Sequence, residues 1–125
     1  MTLQLSRSAR DLYGIKLESD FADDFRDLVS FVSDYVETRG GVLIRLGGAR
    51  RGERGYPHVV FAFGGVACAV WLSVGRDLTV EERSCIDNMS RDWCCGVVSD
   101  RDGFVEFAMK TKAWRVVTGG VVTYD

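Results

Sequence analysis

Two strongly apolar runs, Val59 to Phe63 and Val66 to Leu72, stand on either side of Gly64-Gly65 and carry no charge at all. Together with the residues up to Gly75 they form the one stretch in which a membrane segment could be sought. The paired glycines interrupt it, and its Val, Phe and Trp content favours extended chain, so it reads as a buried β-hairpin. A two-residue Gly-Gly connector suits a primed turn, in which both central residues need positive φ. Because the runs are continuous rather than alternating, both strands are expected to be covered on both faces. A chain of 125 residues, 46% of them hydrophobic, can supply such cover as one compact domain spanning residues 1–125.

The flanking segments provide the covering layers. Phe21, Phe25, Leu28, Val29, Val32, Tyr35 and Val36 recur at spacings of three and four, which predicts an amphipathic helix over Asp20 to Glu37. Asp20 is the expected N-cap, and Gly40-Gly41 the stop. Val42 to Leu46 reads as a short strand. Thr79-Val80-Glu81-Glu82 is a capping box that opens a second helix. Ile86, Met89 and Trp93 form its buried stripe, and it ends near Gly96. A strand at Val97 to Ser99, a short helix over Phe104 to Lys110 and a terminal hairpin of Trp114 to Thr118 with Val121 to Tyr124 complete the chain. The order predicts an α/β domain with a mixed sheet flanked by helices and an extra C-terminal β-hairpin.

Cys68, Cys85, Cys94 and Cys95 lack C-x-x-C spacing, and the lone His58 completes no zinc set, so no metal and no cofactor are expected. Cys85, Cys94 and Cys95 are placed on the second helix as reduced, apolar fillers, in keeping with a cytoplasmic setting. The N-terminal residues have no apolar core of the kind a secretion signal needs.

Charge is distributed in blocks, although the net charge is only −2. Glu18 to Glu37 contains seven acids against Arg26 alone, and the four carboxylates Asp20, Asp23, Asp24 and Asp27 share helical spacing. Thr38 to Arg54 contains five arginines against Glu53, four of them being Arg45, Arg50, Arg51 and Arg54. The acidic face suits a basic protein partner. The arginine loop suits contact with nucleic-acid phosphates, without sequence readout.

Between Gly40 and about Lys110 the chain resembles the VRR-NUC family of the PD-(D/E)XK nuclease superfamily. The resemblance rests on an ordered set of weak motifs: a helix ending in a glycine turn, a strand, and an Arg/Gly loop. Gly55-Tyr56-Pro57-His58 stands where the family has Gly-x-Pro-Asp. Val70-Trp71-Leu72-Ser73 stands where a strand carries Glu-x-Lys, and Leu78-Thr79-Val80-Glu81-Glu82 where a helix opens with Leu-Ser/Thr-x-x-Gln. Gly96-Val97-Val98-Ser99 and a closing helix follow.

The resemblance implies a restriction-endonuclease-like core and, in the family, a divalent cation held by the two acids beside a lysine that stabilises charge. In this chain those three positions hold His58, Trp71 and Ser73, and the glutamine position holds Glu82. An indole does not ligate a metal and serine brings no positive charge, so the expected catalytic residues are none, and the protein is expected not to be an enzyme. A small acidic domain with an erased nuclease site is similar to products of phages and mobile elements. The concrete expectation is a binding protein that inhibits a host defence nucleoprotein complex, as anti-CRISPR proteins do. The alternatives are a DNA-binding accessory subunit and a divergent metal-dependent nuclease. Lone VRR-NUC domains can pair, so a homodimer is expected, with the terminal strands covering an edge.

Overall fold

The computed structural model describes residues 18–46, 53–63 and 65–118. Helix α1 (Glu18–Thr38) leads into strand β1 (Val42–Arg45). One 3-10 turn (Glu53–Gly55), β2 (Val59–Phe63) and β3 (Val66–Leu72) follow, then α2 (Val80–Met89), β4 (Cys94–Val98) and α3 (Arg101–Thr118). The sheet order is β1-β2-β3-β4. The first three strands are antiparallel neighbours, with Val42 opposite Ala62 and Phe61 opposite Cys68. Strand β4 runs parallel to β3, with Trp71 opposite Val97, so a crossover is required and α2 supplies it.

Each helix is delimited by its own chemistry. At the end of α1, Gly40 adopts φ +80°, and the N–H groups of Gly41 and Gly40 donate to Val36 and Glu37 carbonyls at 2.9 and 3.1 Å. This double bond pattern satisfies carbonyls that the helix end leaves open, and the left-handed backbone favours glycine. At the start of α3, the Asp100 carboxylate accepts from Gly103 N–H at 2.7 Å. The Asp20 cap expected from the sequence is not observed: α1 begins at Glu18, and Asp20 lies within its first turn.

The main core lies between the sheet and the α1/α3 layer. Phe25, Leu28, Val29, Val32 and Val36 line the buried stripe of α1, and they meet Val59, Phe61, Val66, Cys68, Val70 and Leu72 from the sheet. Phe104 of α3 sits at the junction, fully buried. Its ring stands edge-on to Tyr35 at 5.4 Å, Phe61 at 6.0 Å and Phe31 at 6.4 Å, joining two helices and a strand. On the opposite face of the sheet, α2 and the 3-10 turn cover Ala69 and Trp71, both fully buried.

Several expectations are corrected. Strand β3 is covered on both faces, but β2 is not: Val59 and Phe61 are buried while Ala62 is exposed and Val60 half-exposed. Cys94 and Cys95 belong to β4 and not to the second helix, which stops at Met89. Ile86, Met89 and Trp93 are half-buried. Residues Trp114 to Thr118 are helical, because α3 continues through them from three turns already formed, and propagation is easier than nucleation. The segment expected as the first strand of a C-terminal hairpin falls within this helix. The hairpin's second strand, at 121–124, and Gly64 of the β2–β3 turn lie outside the described residues. No helix among the described residues is long and apolar enough to cross a membrane.

Removing the ring at the three-element junction should be the most damaging single truncation. Phe104→Ala is expected to cost about 3–5 kcal/mol in urea unfolding, and Phe104→Leu clearly less. Equal losses for the two variants would show that the aromatic contacts contribute nothing beyond volume.

Candidate functional site

The four positions at which the family resemblance places catalytic and motif residues converge on one corner of the sheet. His58 precedes β2, its N–H donating to Val70 carbonyl at 3.0 Å. Its side chain is buried, and Nδ1 accepts from Leu72 N–H at 2.9 Å, which places the ring proton on Nε2. The ring lies edge-on to Phe25 at 5.2 Å. Trp71 points to the other face, where its Nε1–H donates to Gly55 carbonyl at 2.9 Å. Gly55 can meet the indole because it lies hard against α2. Its φ is +79°, and a Cβ there would stand 2.4 Å from the Glu81 carbonyl carbon and oxygen. Ser73 donates its backbone N–H to Val98 carbonyl at 2.9 Å.

Glu82 closes the set. Fully buried, it takes both prongs of the Arg76 guanidinium, Oε1 at 2.6 Å and Oε2 at 2.8 Å. Oε1 also accepts from Thr79 N–H at 2.9 Å, while Glu82 N–H donates to Thr79 Oγ1 at 3.1 Å, so the expected capping box is present. Burial alone raises the carboxyl pKa. The Arg76 and Thr79 hydrogen bonds and the Arg76 charge outweigh it and hold the group down at about 2. Arg76 escaped sequence analysis because nothing local marks an arginine six residues ahead of a carboxylate as its partner.

These positions hold a spent imidazole acceptor, a donor-only indole and an ion-paired carboxylate. Among the described residues, no group of three His, Cys, Asp or Glu side chains is arranged to hold a metal ion. What the corner does chemically is fasten β2, β3, the 3-10 turn and α2 together.

The charged blocks lie elsewhere. Asp20, Asp23, Asp24 and Asp27 occupy the face of α1 turned away from the stripe of Phe25, Leu28, Val29 and Val32. Asp23 and Asp27 are exposed, Asp20 and Asp24 half-exposed, and Asp23 pairs with Arg26 one turn on. Asp24 and Asp27 also line a cleft of about 310 Å³. Val74, Ser99, Asp100 and Arg101 form its far wall, where β3 and β4 end. That wall was not foreseen, since it is assembled from loop residues with no motif of their own.

Of the arginines, Arg45 is exposed, yet its guanidinium donates to Ser33 Oγ on α1 at 3.2 Å. Arg54 is exposed and takes φ +54° beside Gly55. Arg50 and Arg51 lie outside the described residues, so no continuous basic surface can be drawn.

The Glu82–Arg76 pair has a pH consequence. The folded carboxyl holds its proton more weakly than the same group in the unfolded chain, so acid protonates the unfolded chain first. The contribution, roughly 3 kcal/mol, is present at neutral pH and is lost as the pH falls from about 4.5 toward 2. Glu82→Gln leaves Arg76 buried beside a neutral partner and should cost about 3–5 kcal/mol at pH 7. Urea midpoints measured from pH 7 to pH 3 should fall less steeply for this variant, and parallel curves would refute the assignment. Comparison with protein-family models, curated proteins and solved structures finds no match for this chain.

Proposed function

We propose that this protein acts by binding, as a nuclease-like domain without catalysis, and that its acidic α1 face receives a basic surface of a partner protein. The observation that carries this reading is the segregation of α1. Five apolar side chains commit one face to the core, while Asp20, Asp23, Asp24 and Asp27 gather on the other and two of them line a cleft. Exposed carboxylates, Asp23 and Asp27 among them, steer and orient a cationic partner. A channel built to hold nucleic acid presents such a surface. The concrete form of the reading is therefore a phage or mobile-element product that inhibits a host defence nucleoprotein complex, in the manner of anti-CRISPR proteins.

Two further observations support the nuclease-like part of the proposal. The helix, three strands, crossover helix, strand and closing helix appear in the order the VRR-NUC resemblance implies. The two positions the family uses for metal ligands are occupied here by side chains, His58 and Trp71, engaged in holding the sheet. A DNA-binding accessory subunit is the second reading, favoured by the exposure of Arg45 and Arg54.

Charge reversal separates the two. Asp23→Lys with Asp24→Lys should reduce capture of a nucleoprotein complex from host lysate by about tenfold, while Arg45→Glu with Arg54→Glu should leave it within about twofold. Circular dichroism should show both variants folded, the aspartate changes costing about 0.3–1 kcal/mol each through the helix dipole. Loss of salt-sensitive DNA binding in the arginine variant alone would favour the accessory subunit. Plasmid DNA incubated with magnesium or manganese should remain intact. Nicking that survives purification and disappears with His58→Ala would overturn the non-enzymatic reading.

A further inference from the structure

Cys68 and Cys94 are direct partners in the parallel ladder of β3 and β4. Neighbouring strands lie about 4.8 Å apart, inside the Cα separation of about 4.4–6.8 Å that a disulfide spans. Both side chains leave the sheet on the α3 side, Cys68 fully buried and Cys94 8% exposed. Cys68 Sγ donates to the Val66 carbonyl at 3.9 Å, and each thiol lies close enough to the other and to the Thr111 hydroxyl on α3 to shift its acidity. That hydroxyl is itself fixed by donating to Phe107 carbonyl at 3.0 Å. Apolar filling explains why a cysteine is buried. It does not explain two buried cysteines placed in register on adjacent strands.

We propose that Cys68 and Cys94 form a peroxide-responsive dithiol that closes to a cross-strand disulfide. Cys94 is the attacking group, being the more exposed of the two. The neighbouring Cys68 thiol lowers the Cys94 pKa against the opposing effect of burial, and Thr111 adds to the lowering, while Cys68 is raised. The Cys94 thiolate displaces hydroxide from hydrogen peroxide, breaking the O–O bond. The hydroxide takes up the proton that Cys94 gave and leaves as water. Cys94 is then a sulfenic acid, oxidised by two electrons, and the peroxide is reduced. Cys68 next attacks the Cys94 sulfur. The S–S bond forms, the S–O bond breaks, and the departing hydroxide takes the Cys68 proton to give a second water.

The remaining thiols are poor competitors. Cys95 points to the opposite face of β4 from Cys94, and burial with the nearby Cys94 and Cys85 pushes its thiol up to about 11. Burial also raises Cys85 on α2. A bridge between the adjacent Cys94 and Cys95 would be strained.

The test uses the full chain, reduced, freed of reductant and treated with hydrogen peroxide. Intact mass should fall by two hydrogens, and non-reducing peptide mapping should join the Cys68 peptide to the Cys94 peptide. After unfolding, alkylation of Cys68 and Cys94 should drop together by about tenfold, with Cys85 and Cys95 within about twofold of the untreated protein. In Cys68→Ser, dimedone should trap a sulfenic acid at Cys94 with no bridge formed, and Cys85→Ser with Cys95→Ser should leave the bridge intact. The wild-type map needs no substitution, so a variant that fails to fold does not blunt the test. A Cys85–Cys95 link, an intermolecular link, sulfinic acid at Cys94 without a bridge, or four thiols still open to alkylation would each overturn the proposal.

Discussion

The architecture depends on burying β3 from both sides. Val66, Cys68, Val70 and Leu72 leave one face of the strand for the α1/α3 layer, and Ala69 and Trp71 leave the other for α2 and the 3-10 turn. A strand covered in this way must have a layer on each side, and a parallel neighbour obliges the chain to cross over one of them. The crossover helix therefore cannot be placed freely. Its first turn is held by the Arg76–Glu82 pair and by contact with Gly55, whose carbonyl receives the Trp71 indole. Burial of a carboxylate and a guanidinium is tolerable there because both carboxylate oxygens are engaged and the cap supplies another donor.

How much of this could be read from residues alone followed from the range of the interaction involved. The stripe of α1, its Gly40 stop, the capping box at Thr79 and the turn between β2 and β3 are local, and each has a chemical signature within a few residues. Trp93 continues the spacing of Ile86 and Met89, so that spacing predicts a longer second helix, although Cys94 and Cys95 already belong to a strand. Helical spacing persists across a turn whenever the next apolar residue faces the same layer. At α3 the opposite holds. Val116, Val117 and Trp114 favour extended chain locally, but a helix established from Asp100 onward overrides a few weak preferences. Arg76 was invisible for a different reason, since a partner chosen by tertiary folding leaves no local mark.

Trp71 and His58 satisfy their polar groups in the same way on opposite faces of the sheet. A metal-binding acid at the position of Trp71 would face α2 inside a buried layer, where an unpaired carboxylate is costly. An indole fills that volume and satisfies its single donor on Gly55. His58 similarly accepts from a backbone donor, Leu72 N–H, inside the core. Replacing either ring would therefore remove a bond that fixes the sheet.

Helix α1 carries a dense negative surface. Glu18 and Asp20 lie in the first turn, where exposed N–H groups make the helix end positive, and just beyond the other end Arg39 lies over the Tyr35 ring at 3.6 Å and donates to the Tyr35 carbonyl. Those charges sit where the helix dipole favours them, whereas Asp34 and Glu37 lie toward its negative end. Because the opposite stripe of Phe25, Leu28, Val29, Val32 and Val36 makes the core, the exposed Asp23 and Asp27 lie outside its packing, and reversing their charge leaves that stripe untouched.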